Sequence, residues 1–78
     1  MDEKGAVEAA LFSSSEKISV SDIADRTGLS EEKIRYALRD LRKEYDDRGS
    51  AIMIAKIGNE YKMMLRTEYT DFTGKFAK

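Results

Sequence analysis

The chain has 78 residues, 41% of them hydrophobic and 37% charged, with a formal net charge of -1. A chain this short buries only about 60% of its unfolded surface, which allows one domain with one modest core and only marginal stability without a partner. Cysteine and histidine are both absent, which excludes thiol and disulfide chemistry, the usual zinc ligands and the commonest general base.

The opening residues Met1-Asp2-Glu3-Lys4 lack the basic and then apolar order of a signal peptide, and no apolar run nears the ~20 residues that span a bilayer. The chain is therefore expected to be soluble and cytoplasmic. From Glu3 to Ser14, Val7, Ala10, Leu11 and Ser14 fall on one helical face with Ala6, Ala9 and Phe12 close beside it. This predicts a first helix, rich in Ala, whose bulky Leu11 and Phe12 enter the core. Ser13-Ser14-Ser15-Glu16-Lys17 breaks the pattern, and Ile18-Ser19-Val20 then alternates as a short edge strand or extended linker.

Ser21 can cap a short helix that Gly28 ends about two turns later. A longer helix follows at once. Short helix, glycine turn and long helix make a helix-turn-helix, with Ala24 where the two helices touch, Leu29 in the corner and Ile34 burying the second helix. That second helix runs from Ser30 to Arg48. Ile34, Ala37, Leu38, Leu41 and Tyr45 recur at intervals of three and four and form one apolar stripe. Ser30 is the expected N-cap, Glu31 and Glu32 suit the positive end of the helix dipole, and Gly49 supplies the left-handed stop.

After Gly49-Ser50, two strands, Ala51–Ile57 and Glu60–Arg66, flank the two-residue turn Gly58-Asn59. With Ile57 opposite Glu60, Ile52 pairs with Leu65, Ile54 with Met63 and Lys56 with Tyr61 on the face turned to the core. The opposite face pairs Met53 with Met64, Ala55 with Lys62 and Ala51 with Arg66, which leaves Met53, Met64 and Ile57 facing outward. Thr67 to Lys78 carries Tyr69, Phe72 and Phe76 at spacings of three and four, a short helix weakened by Gly74. The expected fold is a small single-domain α+β winged helix, a helix-turn-helix with a C-terminal β-hairpin wing, over residues 1–66. Residues 67–78 would form a C-terminal amphipathic tail.

The segments Val7–Ser14, Ile18–Val20, Gly28-Leu29-Ser30, Leu41–Tyr45 and Arg48-Gly49-Ser50 stand in an order and spacing that resembles the first winged-helix domain of the segregation and condensation protein B family. The resemblance covers roughly Val7 to Phe72. It implies an accessory subunit of a chromosome-organising SMC complex that works with a kleisin subunit. Family members have two winged-helix domains, the first associated with self-association and the second chiefly engaging the kleisin. This chain ends at Lys78, where a second domain would begin, as an excised first domain or a shortened relative would.

A winged helix serves both DNA binding and protein assembly, so the surface must decide. A DNA reader presents the first turns of its recognition helix to the major groove, and here those turns carry Glu31 and Glu32 beside Lys33 and Arg35. Arg35, Arg39, Lys43, Lys56 and Lys62 are the residues that a DNA-binding transcription regulator would use, and contact with DNA is expected to be weak or indirect. The assembly reading rests on Met53, Ile57, Lys62 and Met64 with Tyr69 and Phe72, because apolar groups clustered on a strand face mark interfaces and Met adapts to a partner. The tail either joins that interface or folds back to cover it. No paired carboxylates, phosphate loop or activated nucleophile appears at a useful spacing, so no enzyme, metal or cofactor is expected. The expected partners are a second copy and the kleisin of an SMC complex, at the nucleoid, with neither a small-molecule substrate nor a membrane.

Overall fold

Asp2 opens the first helix by accepting a 2.6 Å hydrogen bond from the Gly5 amide. The structure, a computed structural model, describes residues 2–70; Phe72, Gly74 and Phe76 of the expected tail helix lie outside the described residues. Helix α1 (Glu3–Ser13) buries Ala6, Val7, Ala10 and Leu11. Phe12 does not join them. It is 79% exposed, and the expectation that it enters the core is corrected by helix geometry. At about 100° per residue, Phe12 lies roughly 140° around the helix from Val7 and continues the line of Gly5 and Ala9 instead.

Ile18–Ser19 form a two-residue strand, β1, at the edge of the sheet, pairing Ile18 with Tyr61 and Ser19 with Glu60. Helix α2 (Val20–Thr27) follows directly, capped by Ser19, whose hydroxyl accepts from the Asp22 amide at 3.0 Å. The expected cap, Ser21, is already inside the helix. Starting at Val20 puts Val20 and Ile23 three residues apart on one buried face, which a start after Ser21 would forfeit. Gly28 stops α2 in the left-handed region at φ 76° and donates to the Ala24 carbonyl at 2.8 Å.

Helix α3 (Glu31–Asp47) carries the expected stripe, with Ile34, Ala37, Leu38, Leu41 and Tyr45 all buried, and Ser30 caps it by accepting from the Lys33 amide. Beyond its end Gly49 takes φ 62°, and Ser50 donates to the Tyr45 carbonyl at 3.0 Å. Strands β2 (Ile52–Ile57) and β3 (Glu60–Leu65) form the hairpin in the expected register, from Ile52 opposite Leu65 to Ile57 opposite Glu60. Gly58 alone of the two turn residues has positive φ, as in a type II′ turn. The sheet order is β1-β3-β2. The fold is therefore an α+β winged helix in which, among the described residues, three α-helices and three antiparallel strands enclose one core.

That core centres on Val7, Leu11, Ile23, Ile34 and Leu38, each almost fully removed from water. From the hairpin Ile54 is buried in it, while Ile52, Tyr61 and Met63 pack against it half-buried. Polar ties hold the outer seams: Lys4 to Glu44 and Glu8 to Tyr45 join α1 to α3, and Arg42 donates from Nε to the Ile54 carbonyl at 3.1 Å. Arg66, at the end of the hairpin, donates to the carbonyls of Tyr45 and Ser50 and to the Asp46 carboxylate. No polar side-chain atom is left buried without a partner among the described residues.

Candidate protein-binding surfaces

Alternation along the hairpin sets the first surface. Because Ile52, Ile54, Tyr61 and Met63 are drawn to the core, Met53, Ile57, Lys62 and Met64 share the opposite face. Met53 stands directly opposite Met64. Met64 is 39% exposed and Ile57 43% exposed, while Met53 is half-buried. Lys62 lies between them on the same face, but its Nζ donates to the Ser15 carbonyl at 2.9 Å, so it is anchored to the loop after α1. Tyr69 sits half-buried in the short 3₁₀ turn Thr67–Tyr69 that follows β3. Phe72, the sixth residue expected at this interface, lies outside the described residues.

The cations proposed for nucleic acid divide between surfaces and are largely engaged. Arg35 pairs with Glu31 at 3.2 Å and Lys43 with Asp47 at 2.7 Å, each one helical turn away. The hydrogen bond to Asp47 also raises the Lys43 pKa above its ordinary value. Arg39 stacks on the exposed ring of Tyr36, 4.9 Å from its centroid. Lys56 shares a shallow groove with Arg35, but Glu31 lines it too. Lys62 points to the other face of the wing. A phosphate backbone would thus meet a carboxylate beside Arg35 and another beside Lys43, which weakens the electrostatic gain from counterion release.

Sequence reasoning missed two features. Phe12 projects from the outer side of α1 into a groove lined by Gly5, Glu8, Ala9, Tyr45 and Met63; its helical phase relative to Val7 and Leu11 carried the signal. Arg66 bridges the hairpin to the end of α3, and nothing local to it in sequence announces a contact twenty residues back. Among the described residues there is no cluster of metal-ligating side chains and no helix long and apolar enough to cross a membrane.

The profile of the segregation and condensation complex subunit ScpB family matches residues 5–78. Segregation and condensation protein B of Ureaplasma parvum is 28% identical over 76 residues, which cover 95% of this chain and 21% of that protein. A crystal structure of a dimer of ScpB N-terminal domain complexed with ScpA peptide superposes with a TM-score of 0.81 at 25% identity, covering 96% of this chain and 87% of that one. ScpB from Mycobacterium tuberculosis superposes with a TM-score of 0.86 at 19% identity, covering 94% and 46%, a likeness of fold. The chain spans between 21% and 46% of the length of the curated relatives it matches.

Proposed function

This chain belongs to the segregation and condensation complex subunit ScpB family, and from that premise we propose that it is a non-enzymatic assembly subunit of an SMC and kleisin complex, acting in the cytoplasm at the nucleoid. Residues 1–66 are its winged-helix unit and residues 67–78 a tail or linker. It works by protein contacts, joining itself or a companion subunit through the outward face of the wing. The observation that carries this reading is the pair of half-buried Met53 and exposed Met64, opposite each other on the side of the hairpin turned from the core. Ile57 extends the apolar centre, and Lys62 and Tyr69 supply its rim. Stable interfaces bury about 800 Å² per partner, so these few side chains form only the middle of the contact.

The comparison of wild type with Met53→Glu and Met64→Glu, by light scattering over a concentration series with and without a kleisin peptide, tests the reading. A charge buried unpaired in an apolar interface is costly, whereas on a solvated strand it costs little. The expected result is loss of a complex by variants whose circular dichroism is unchanged. A wild type that stays monomeric and ignores the kleisin would overturn the proposal. DNA binding is expected to be weak, sequence-independent and abolished by salt; selection of a defined operator at ~10⁻⁸ M or tighter in physiological salt would favour a transcription regulator instead.

A further inference from the structure

The chain leaves α1 through three serines, Ser13-Ser14-Ser15, and the three are not equivalent. Ser13 is the last residue of the helix and donates its hydroxyl to the Ala10 carbonyl at 3.2 Å. Ser14 donates to the same carbonyl at 3.0 Å and accepts from Arg26 Nη1 at 2.7 Å. Ser15 lies beyond the helix and is exposed, and its hydroxyl is bonded to no other group among the described residues. Its carbonyl accepts from Lys62 Nζ at 2.9 Å. Cations from three separate places thus meet around this loop: Lys62 from β3, Arg26 from α2, and Lys17 from just before β1, the last held only loosely by Glu60 at 4.0 Å. We propose that Ser15 is a phosphorylation site whose phosphate is held by Lys62 and Arg26, and that its modification regulates the outward face of the wing. The second half rests on the reading of that face given above and names how the face is controlled.

The reaction is that of a serine kinase with a nucleoside triphosphate. Ser15 Oγ attacks the γ-phosphorus, the Oγ–P bond forms as the bond to the nucleoside diphosphate breaks, and the hydroxyl proton passes to the base of the kinase. Position selects Ser15 from its neighbours. A kinase must draw its acceptor into a cleft, and Ser15 can enter without unwinding α1, whereas Ser13 would have to leave the helix and Ser14 would have to give up two hydrogen bonds. Opposing charges are present as well. Glu16 and Asp22 line the same hollow of about 480 Å³ as Lys17 and Arg26, and α1 ends there with its negative pole. Reach and bond strength decide the balance. Lys62 and Arg26 already donate to neutral oxygens of Ser15 and Ser14, and in exchanging these for oxygens of a dianion each gains a bond about twice as strong. Lys62 shares the outward face of the wing with Met53 and Met64. A phosphate that captures Lys62 therefore takes a cation from the rim of that face and sets about -1.5 to -2 charges beside it at pH 7.

The test uses the full chain, unmodified and with phosphoserine installed at position 15 during translation. With MgATP and a broad-specificity serine/threonine kinase, one phosphoryl group is expected, and Ser15→Ala should take none. Modification of Ser13 or Ser14 in place of Ser15, or of an unfolded peptide spanning Ala10 to Val20 but not of the folded chain, would overturn the proposal. In a phosphorus NMR titration the phosphate is expected to lose its last proton about half a unit below the value near 6 that is usual for phosphoserine, and Lys62→Met with Arg26→Met should restore that value. Neither side chain belongs to the core, so circular dichroism should not change. A phosphate that titrates at the usual value beside the native Lys62 and Arg26 would also overturn the proposal. The complex that Met53→Glu disrupts is expected to weaken about fivefold or more on phosphorylation in low salt, with the difference shrinking at ~1 M salt as charge is screened. A complex unchanged by the phosphate would overturn the regulation while the reading of the wing stands. Absence of any complex, with or without a kleisin peptide, would end that reading and the regulation together, whereas the titration separately decides whether Lys62 and Arg26 hold the phosphate.

Discussion

Arg66 donates from Nη2 to the main-chain carbonyl of Tyr45, 3.0 Å away, joining the last residue of the hairpin to the last buried turn of α3. The same side chain reaches the Ser50 carbonyl at 2.5 Å and the Asp46 carboxylate at 2.8 Å, so it adds a charged donor to a helix-end carbonyl that the Ser50 amide also meets and a cation to the negative pole of the helix C-terminus. Hydrogen bonds from a charged donor contribute about 1.5–3 kcal/mol when their acceptors lose water. Arg66→Met should cost about 2 kcal/mol in urea unfolding. Asp46→Asn should cost far less, because Asp46 is exposed and screened.

Leu41 is 3% exposed and lies on the buried stripe of α3 with Leu38. Leu41→Ala should destabilise the domain by ~2–5 kcal/mol, a large share of what a chain of this size possesses. Thermal unfolding followed at 222 nm should show a broad transition moved towards room temperature.

Two serines two residues apart have opposite roles at the start of α2. Ser19 accepts from the Asp22 amide, whereas Ser21 is exposed within the helix. Ser19→Ala should cost about 1 kcal/mol. Ser21→Ala should be neutral or slightly stabilising, since Ala is the better helix former, and chemical denaturation of the pair distinguishes them directly.

Burial raises the pKa of Tyr45, and its hydrogen bond to the Glu8 carboxylate raises it further. A group held protonated in the folded state contributes fully at pH values below its unfolded pKa, here about 10, and its contribution is lost as pH rises through the folded value. Wild-type stability should therefore fall above pH ~10 more steeply than that of Tyr45→Phe. Near pH 8 the order depends on the tie itself, and removing the hydroxyl leaves Glu8 to water at a cost of about 1 kcal/mol. Denaturant melts at both pH values measure the two effects separately.

The elements that could be read from sequence are those whose determinants are local. The stripe from Ile34 to Tyr45 with Ser30 before it fixes α3, and the two-residue turn Gly58-Asn59 sets the hairpin register, because a one-residue slip would turn Ile54 and Met63 to water. Met53 and Met64 followed from that same alternation. What escaped was set by tertiary context. Ser19 and Ser21 are equivalent caps by composition, and the burial of Val20 with Ile23 decides between them. Phe12 was grouped with Leu11 by adjacency, although neighbours in a helix diverge by about 100°. Lys62 was placed on the correct face, yet its tie to the Ser15 carbonyl depends on how the loop after α1 crosses the sheet.

The Arg42 guanidinium meets the Ile54 carbonyl on an outer strand of the sheet, since among the described residues β2 pairs only with β3. Open strands invite further strands, which is how many small β-containing proteins polymerise. A cation occupying a main-chain acceptor there obstructs that route, and it does so from within the helical layer, so the blockade lasts as long as the fold does. Growth by extending the sheet through β2 is discouraged, and association is left to side-chain shapes, where a self-complementary patch closes on two copies and only a head-to-tail contact could run on.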